Sequence, residues 1–315
     1  MKIGVFSEGG FTGKIPRDHL NMRTDIAWWC ALEANHHPIH NIHLLEDNMY
    51  DIGIVIIPKK RKHLLKYPLV ESLKRVCKKI STMQESTYCY WQDDPLEEQI
   101  WYYNILVEMD LILCHNEPDL KYYRGMTSRR CELMPTLMIE DSIKISDTKS
   151  ESTMIGGNFV SAYGGFDSYI VAKDISDDVW APTTGRMKEE EKGMDINHIP
   201  WVVWVDWIYE LSKHKYGIQL GTAAAGTFNL NCAYLGIPCI GYNNVNTQIK
   251  CFPKLSVDVG DVESARILAK KLKNDKDFYN EISETAKVKY NTLFGEDVYI
   301  YNMKKVIEEV MNESN

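Results

Sequence analysis

The residues from Gly217 to Gly241, GIQLGTAAAGTFNLNCAYLGIPCIG, restrict what this chain can fold into more than any other stretch. A short apolar run, Gly217 to Leu220, stops at Gly221. Thr222 to Thr227 then carries almost no side-chain bulk, so another group can approach the backbone closely. From Phe228 to Leu235 the spacing is helical, with Leu230, Ala233 and Tyr234 at i, i+3 and i+4. Gly236 and Pro238 end the helix, and Ile237 to Ile240 suits a buried strand. A strand feeding a small-residue loop at a helix N-terminus aims free N–H groups and the positive dipole end at an anion, as in a nucleotide diphosphate pocket. The same pattern also serves as a tight strand-to-helix turn in any α/β domain.

The rest of the chain repeats the alternation. Strands are expected at Lys2 to Phe6, Ile39 to Leu45, Asp51 to Ile57, Lys79 to Met83, Leu111 to Cys114 and Glu132 to Ile139. Helices are expected from about Thr24 to Ala34, Leu69 to Cys77, Leu96 to Val107 and Pro118 to Met126. The polar run Asp141 to Ser152 reads as a linker. Beyond it come strands at Thr153 to Gly157 and Val179 to Thr183, helices at Phe166 to Lys173 and Val205 to His214, and a charged loop, Arg186 to Asn197. Helices at Asp261 to Leu272, Asp277 to Leu293 and about Val298 to Met311 close the chain. Such βαβα order predicts parallel sheets covered on both faces. The expected fold class is α/β with two Rossmann-like domains: an N-terminal one over 1–145, a C-terminal one over 153–295, and a last helix over 296–315 packing back on the first.

With 315 residues, the chain is long enough for one large or two medium domains. The net charge of −8 excludes a globally basic nucleic-acid binder, so any polyanion contact must be local. One basic cluster exists, Lys59 to Lys79, with Glu71 its sole acid; it is either a polyanion contact or a solvated loop and helix face. Eight cysteines lack CxxC spacing, and Cys30, Cys114, Cys232 and Cys239 sit in apolar runs, as buried thiols of a reducing compartment do. The chain begins directly with a strand, MKIGVF, so no secretion signal is expected. No apolar run approaches the roughly 20 residues that span a bilayer. The expected location is the cytoplasm, or a host's cytoplasm if the chain is viral.

Ligands of open α/β sheets bind beyond the carboxyl ends of the strands, so the residues after each strand are the candidates. In the second half these are Gly156, Gly157 and Asn158, then Thr184, Gly185, Arg186 and Lys188, then Gly221, Thr222, Ala225, Gly226 and Thr227. Guanidinium and ammonium groups beside glycine loops suit a diphosphate, although Arg186 and Lys188 also fit a plain exposed loop. Asn231, one turn after Thr227, either hydrogen-bonds a ribose hydroxyl or is satisfied on its helix. In the first half, Gly9 and Gly10 follow the first strand, with Lys14, Arg17, Arg23 and Asp25 behind them. This is not GxGxxG; it reads as a substrate-binding loop, and Asp25 is either a base or a helix cap. Glu85 follows the fourth strand and is a second candidate base, with Asp93 soon after; His115 follows the fifth. The pair His36-His37 before Pro38 reads as a turn. No motif has metal-ligand spacing, and no metal is expected.

The stretch LNCAYLGIPCIG, Leu230 to Gly241, resembles the donor loop and helix of GT-B glycosyltransferases, and the resemblance covers nearly the whole chain. It implies two Rossmann-like domains facing across a cleft, with a nucleotide-sugar, UDP-linked by expectation, on the second domain. Where many relatives carry a ribose-binding glutamate this chain has Asn231, and the family's earlier acid falls near Ala223. These departures argue against the common retaining subgroup with two glutamates. The resemblance further implies that Arg186 and Lys188 stabilise a leaving diphosphate, with no metal or other cofactor required. More narrowly, YYRGMTSRR, Tyr122 to Arg130, and AAGTFNLNCAYLGIPCIGY, Ala224 to Tyr242, look similar to bacteriophage-encoded, DNA-modifying glycosyltransferases. That likeness implies a hydroxymethylated base in double-stranded DNA as acceptor, Glu85 as base, and the cluster Lys59 to Lys79 with Arg124, Arg129 and Arg130 as phosphate contacts. The alternatives are a glycan or small-molecule acceptor, a nucleotide-sugar epimerase, and a non-catalytic nucleotide-sugar binder.

Overall fold

A computed structural model describes residues 1–9, 11–58, 61–84, 87–160 and 162–313, and among these the chain forms twelve strands and twelve α-helices. It divides into two units, Met1–His19 with Arg23–Ile139 and Glu296–Asn315, and Leu20–Met22 with Glu140–Gly295. Among the described residues, each unit holds one six-stranded sheet, and every pairing within both sheets is parallel.

The first sheet contains β1 (Ile3–Ser7), β2 (Asn35–Pro38), β3 (Tyr50–Ile57), β4 (Cys77–Gln84), β5 (Leu111–Cys114) and β6 (Arg130–Leu133), in the order β2-β1-β3-β4-β5-β6. The helices α1 (Thr24–Ala31), α2 (Leu69–Val76), α3 (Cys89–Gln92), α4 (Leu96–Leu106) and α5 (Glu117–Met126) lie between its strands in sequence. The strand β3, YDIGIVII, is buried along nearly its whole length, as a strand covered on both faces must be.

The second sheet contains β7 (Ser150–Ile155), β8 (Val179–Pro182), β9 (Asn197–Ile199), β10 (His214–Gln219), β11 (Cys239–Tyr242) and β12 (Ser256–Val257), in the order β12-β11-β10-β7-β8-β9. Its helices are α6 (Gly165–Lys173), α7 (Trp204–Ser212), α8 (Thr227–Leu235), α9 (Asn246–Cys251), α10 (Val262–Asn274) and α11 (Lys276–Leu293). The last helix, α12 (Glu296–Asn312), belongs to the first unit. Its buried stripe, Tyr299, Met303, Ile307 and Val310, has helical spacing, and Tyr299 packs on Trp28 with ring centroids 5.5 Å apart.

Five expectations are corrected. His36 and His37 form strand, not a turn: they pair in register with Val5 and Phe6, and their rings pack as aromatics, His36 on Trp29 and His37 on Phe6. Ile39 to Leu45 is not a strand; Ile39–Leu44 is a 3₁₀ helix that buries Ile39 and Ile42 at i and i+3. The sixth strand is Arg130–Leu133, earlier and shorter than Glu132 to Ile139. The linker ends before Ser150, because hydroxyls make a polar strand tolerable: Ser152 Oγ bonds His214 Nδ1 at 2.6 Å inside the unit. The charged loop contains a 3₁₀ turn, Glu189–Gly193, and the strand β9.

The basic cluster is partly engaged within the chain, while Lys62 and Lys66 are exposed. Lys59 and Lys60 lie outside the described residues, and Arg61 is 1% exposed, ion-paired with Asp94 and Glu98 and over the Tyr102 ring. Lys74, Arg75, Lys78 and Lys79 each pair with an acid from another segment: Glu108, Asp47, Asp51 and Asp110. Arg124 and Arg129 donate to the backbone carbonyls of Cys131 and Val107, and Arg130 pairs with Glu132, Glu309 and Glu313. Removing one partner from a buried ion pair leaves the other charged and unsolvated. Arg61→Ala is therefore expected to destabilise the chain by about 3–5 kcal/mol, read by urea unfolding, whereas Lys74→Ala, which breaks an exposed pair, should leave the unfolding midpoint nearly unchanged.

Candidate functional site

In the second unit the strand order reverses between β7 and β10. At the carboxyl ends of β7, β8 and β10 lie the residues 156–160 with 162–164, the segment 183–188 and the segment 220–226. They are tied to one another. The Ala223 N–H donates to the Ala162 carbonyl at 3.1 Å. The Tyr163 carbonyl oxygen sits where a Cβ on either Gly157 or Gly221 would lie 2.6 Å from it. Gln219 Nε2 donates to the Gly156 carbonyl at 3.2 Å, and Asn158 Nδ2 donates to Thr184 Oγ1 at 2.7 Å. Thr184 has φ 47°, a conformation a β-branched residue adopts only under constraint. Gly226, at φ 98°, forms the N-cap of α8, and its carbonyl accepts a hydrogen bond from Thr247 Oγ1 at 2.9 Å. The positive end of a nine-residue helix thus opens onto the loop after β10.

The predicted donor-loop residues Gly156, Gly157, Asn158, Thr184, Gly185, Arg186, Lys188, Gly221, Thr222, Ala225, Gly226 and Thr227 all fall on these segments or on the first residue of α8. Arg186 and Lys188 are exposed, and neither makes an ion pair among the described residues. The Arg186 N–H closes a turn on the Thr183 carbonyl at 2.8 Å, and the Lys188 N–H donates to Glu191 Oε1 at 2.7 Å. Asn231 is 1% exposed, and its Oδ1 has no hydrogen-bond partner among the described residues. Gln219 Oε1 and Asn244 Oδ1 are in the same condition, although Asn244 Nδ2 holds the Thr222 carbonyl at 2.9 Å. Asn229 Oδ1, on α8, lacks a donor as well, and a buried carbonyl oxygen without one is unfavourable by about 1–3 kcal/mol. Sequence reasoning missed Gln219 and Asn244. The signal for Gln219 was a polar side chain at the last residue of an otherwise buried strand.

The first sheet reverses between β1 and β3. There a cavity of about 210 Å³ is lined by Ser7, Gly9, Phe11, Asp25, Trp29 and His36, among others. Asp25 stands in the first turn of α1. Ser7 Oγ and His36 Nε2 are 2.6 Å apart, and His36 Nδ1 lies 2.5 Å from the Phe11 carbonyl oxygen. Burial holds the His36 imidazole below the ordinary histidine pKa. The Ser7–His36 contact was not foreseen, since the strand pairing that creates it was read as a turn.

The other predicted acceptor residues scatter. Lys14 pairs loosely with Glu33 at 3.9 Å. Arg17 makes a bidentate pair with Glu296 at 2.8 and 2.7 Å, which anchors the start of α12. Arg23 is the exposed N-cap of α1, and Asp93 is the exposed C-cap of α3. His115 is 3% exposed; its Nδ1 lies 3.1 Å from the Met134 carbonyl, and burial lowers its pKa to about 4, so it is a neutral core group. Glu85 and Gly10 lie outside the described residues.

No family model and no curated protein matches the chain. Among solved structures it is similar to HepE of Anabaena in complex with UDP and glucose, at 9% identity over 98% of this chain and 100% of that one, with a TM-score of 0.70. It is also similar to sucrose-phosphate synthase from Thermosynechococcus elongatus, at 11% identity over 84% of this chain and 75% of that one, with a TM-score of 0.64. A third is α,α-trehalose-6-phosphate synthase from Burkholderia multivorans, at 10% identity over 86% and 72% of the two chains, with a TM-score of 0.62. The likeness shows the fold, an α/β chain of GT-B architecture with two parallel six-stranded sheets among the described residues.

Proposed function

We propose that the chain is a glycosyltransferase that takes a nucleoside-diphosphate sugar, UDP-linked, on the loops of the second unit and moves the sugar to an acceptor hydroxyl bound by the first. The observation that carries this reading is the joining of the segments after β7, β8 and β10 at the strand-order reversal, beside the buried amide oxygens of Gln219, Asn229, Asn231 and Asn244, which lack donors among the described residues. HepE, with UDP and glucose bound, shares the architecture. Uracil and ribose supply the N–H and O–H donors that Gln219, Asn231 and Asn244 lack. The backbone from Gly221 to Thr227, with Arg186 and Lys188, stabilises the departing diphosphate, so that fixed cations serve in place of a metal. Of the two carboxylates weighed as the base, Asp25 lines the first unit's cavity beside Ser7 and His36, and Glu85 lies outside the described residues.

The favoured acceptor is a glycan or small molecule presenting a single ring. A cavity of about 210 Å³ with Phe11 and Trp29 in its wall suits one ring, and the arginines expected to grip DNA phosphates are bonded within the chain. Eight unpaired cysteines fit work in a reducing cytoplasm. A thermal-shift series with UDP, UDP-glucose, ADP and GDP tests the donor. A ligand that binds only the native state at 100 times its Kd adds about 2.7 kcal/mol, so UDP and UDP-glucose should raise Tm and the others should not. No shift with any nucleotide would sink the reading. Salt-dependent binding of hydroxymethylated duplex DNA would restore the DNA acceptor.

A further inference from the structure

We infer that Ser7 and His36 form a proton relay that serves the acceptor hydroxyl in the first unit's cavity; this rests on the transferase reading above. The hydrogen-bond logic leaves one arrangement for the neutral ring. A backbone carbonyl only accepts, so the 2.5 Å contact between His36 Nδ1 and the Phe11 oxygen puts the imidazole proton on Nδ1. Nε2 then offers a lone pair, and across 2.6 Å the Ser7 hydroxyl must donate to it. With its proton committed, Ser7 Oγ presents only lone pairs to whatever else it meets, so it accepts from a ligand hydroxyl and cannot donate to one. Packing holds the ring in this orientation. It lies stacked on Trp29, with centroids 4.3 Å apart and planes at 26°, and its strand is locked in register with β1.

The proton path balances. As the acceptor oxygen bonds to the anomeric carbon, its proton passes to Ser7 Oγ, and the Ser7 proton passes to His36 Nε2. The bond from the anomeric carbon to the diphosphate oxygen breaks, and the diphosphate leaves with the electron pair. The imidazolium that results keeps its Nδ1–H on the Phe11 carbonyl. Three other titratable groups line the cavity: Glu8 and His19 from the segment after β1, and Asp25 from α1. His37 lies beside His36 on its own strand, and Glu8 also pairs with His63 at 3.6 Å. Burial keeps the resting ring neutral, and the Phe11 carbonyl favours the imidazolium once it forms. Ser7 is thus the group that touches the acceptor, and His36 acts through it.

Two measurements test the relay. Nitrogen-15 NMR of the resting protein reads the tautomer without any reaction: Nδ1–H, neutral at pH 7, is expected for His36, and an Nε2–H tautomer overturns the relay. The second follows hydrolysis of UDP-glucose against pH, with water in the acceptor's place. His36→Gln and Ser7→Ala should each lower the rate by about 10²- to 10⁴-fold, and His36→Gln should remove the acidic limb of the profile. The Tm rise with UDP should persist in both, which separates this test from that of the donor site. An acidic limb that survives in His36→Gln and disappears in Asp25→Asn overturns the relay and assigns the proton to Asp25.

Discussion

Gly164→Ala is expected to lose about 3 kcal/mol of stability, together with the nucleotide-induced rise in Tm. Gly164 has φ 64° at the N-cap of α6, where an L side chain is strained by about 1–2 kcal/mol. A Cβ there would also overlap the Leu220 carbonyl oxygen and lie 3.0 Å from the Gly221 nitrogen, so the loop after β10 must shift; overpacking of that kind adds about 1–3 kcal/mol. The same shift displaces the Ser168 hydroxyl that holds the Leu220 N–H at 2.9 Å. Gly185→Ala is the control, because Gly185 has φ 72° with nothing within 4 Å of an added Cβ. It should lose only the backbone strain, about 1–2 kcal/mol. Urea unfolding measures both, and equal losses would contradict the close approach of the two loops.

Arg186→Ala should lower the turnover of UDP-glucose by about 10²- to 10³-fold, the usual effect of removing one fixed donor to a developing oxyanion. The guanidinium is exposed and unpaired by acids among the described residues, so little stability should change with it. Arg186→Lys should recover only part of the rate, since an ammonium cannot chelate two phosphate oxygens in one plane. Steady-state kinetics distinguish the roles: a fall in kcat with nearly constant KM places Arg186 on the leaving group, and unchanged kcat removes it from the chemistry.

The fold was legible because its strands obey simple rules. Leu111–Cys114 is an apolar run with the bounds read from the sequence, and Gly217 to Gly241 resolves into β10, a loop, α8 and β11 as its glycines and Pro238 indicate. Elements failed where polar or aromatic residues do an apolar residue's work. His36 and His37 are strand because stacking and hydrogen bonds satisfy their rings, and Ser150 to Ser152 is strand because hydroxyls find partners. Neither pattern has a period that sequence reading detects.

The meeting of the loops after β7, β8 and β10 was legible for a related reason. Glycines after strands reveal where backbones approach, as Gly157 and Gly221 do around the Tyr163 carbonyl. Side chains that act through tertiary contacts were not legible. Asn158 meets Thr184 across 26 positions, and Ser7 meets His36 across 29, so no local spacing could pair them. Arg61 was not legible for the same reason: it reads as surface charge, yet its partners Asp94 and Glu98 lie more than a helix away in sequence and bury it.

Hydrogen–deuterium exchange with and without UDP-glucose tests the central claim most directly. Slowed exchange is expected in the segments 156–164, 183–188 and 220–227, because a bound diphosphate occupies their N–H groups and a nucleoside orders the loops around Gln219 and Asn231. Unchanged exchange in those segments, or protection confined to peptides from β1 and β2, would contradict the assignment of the donor site to the second unit.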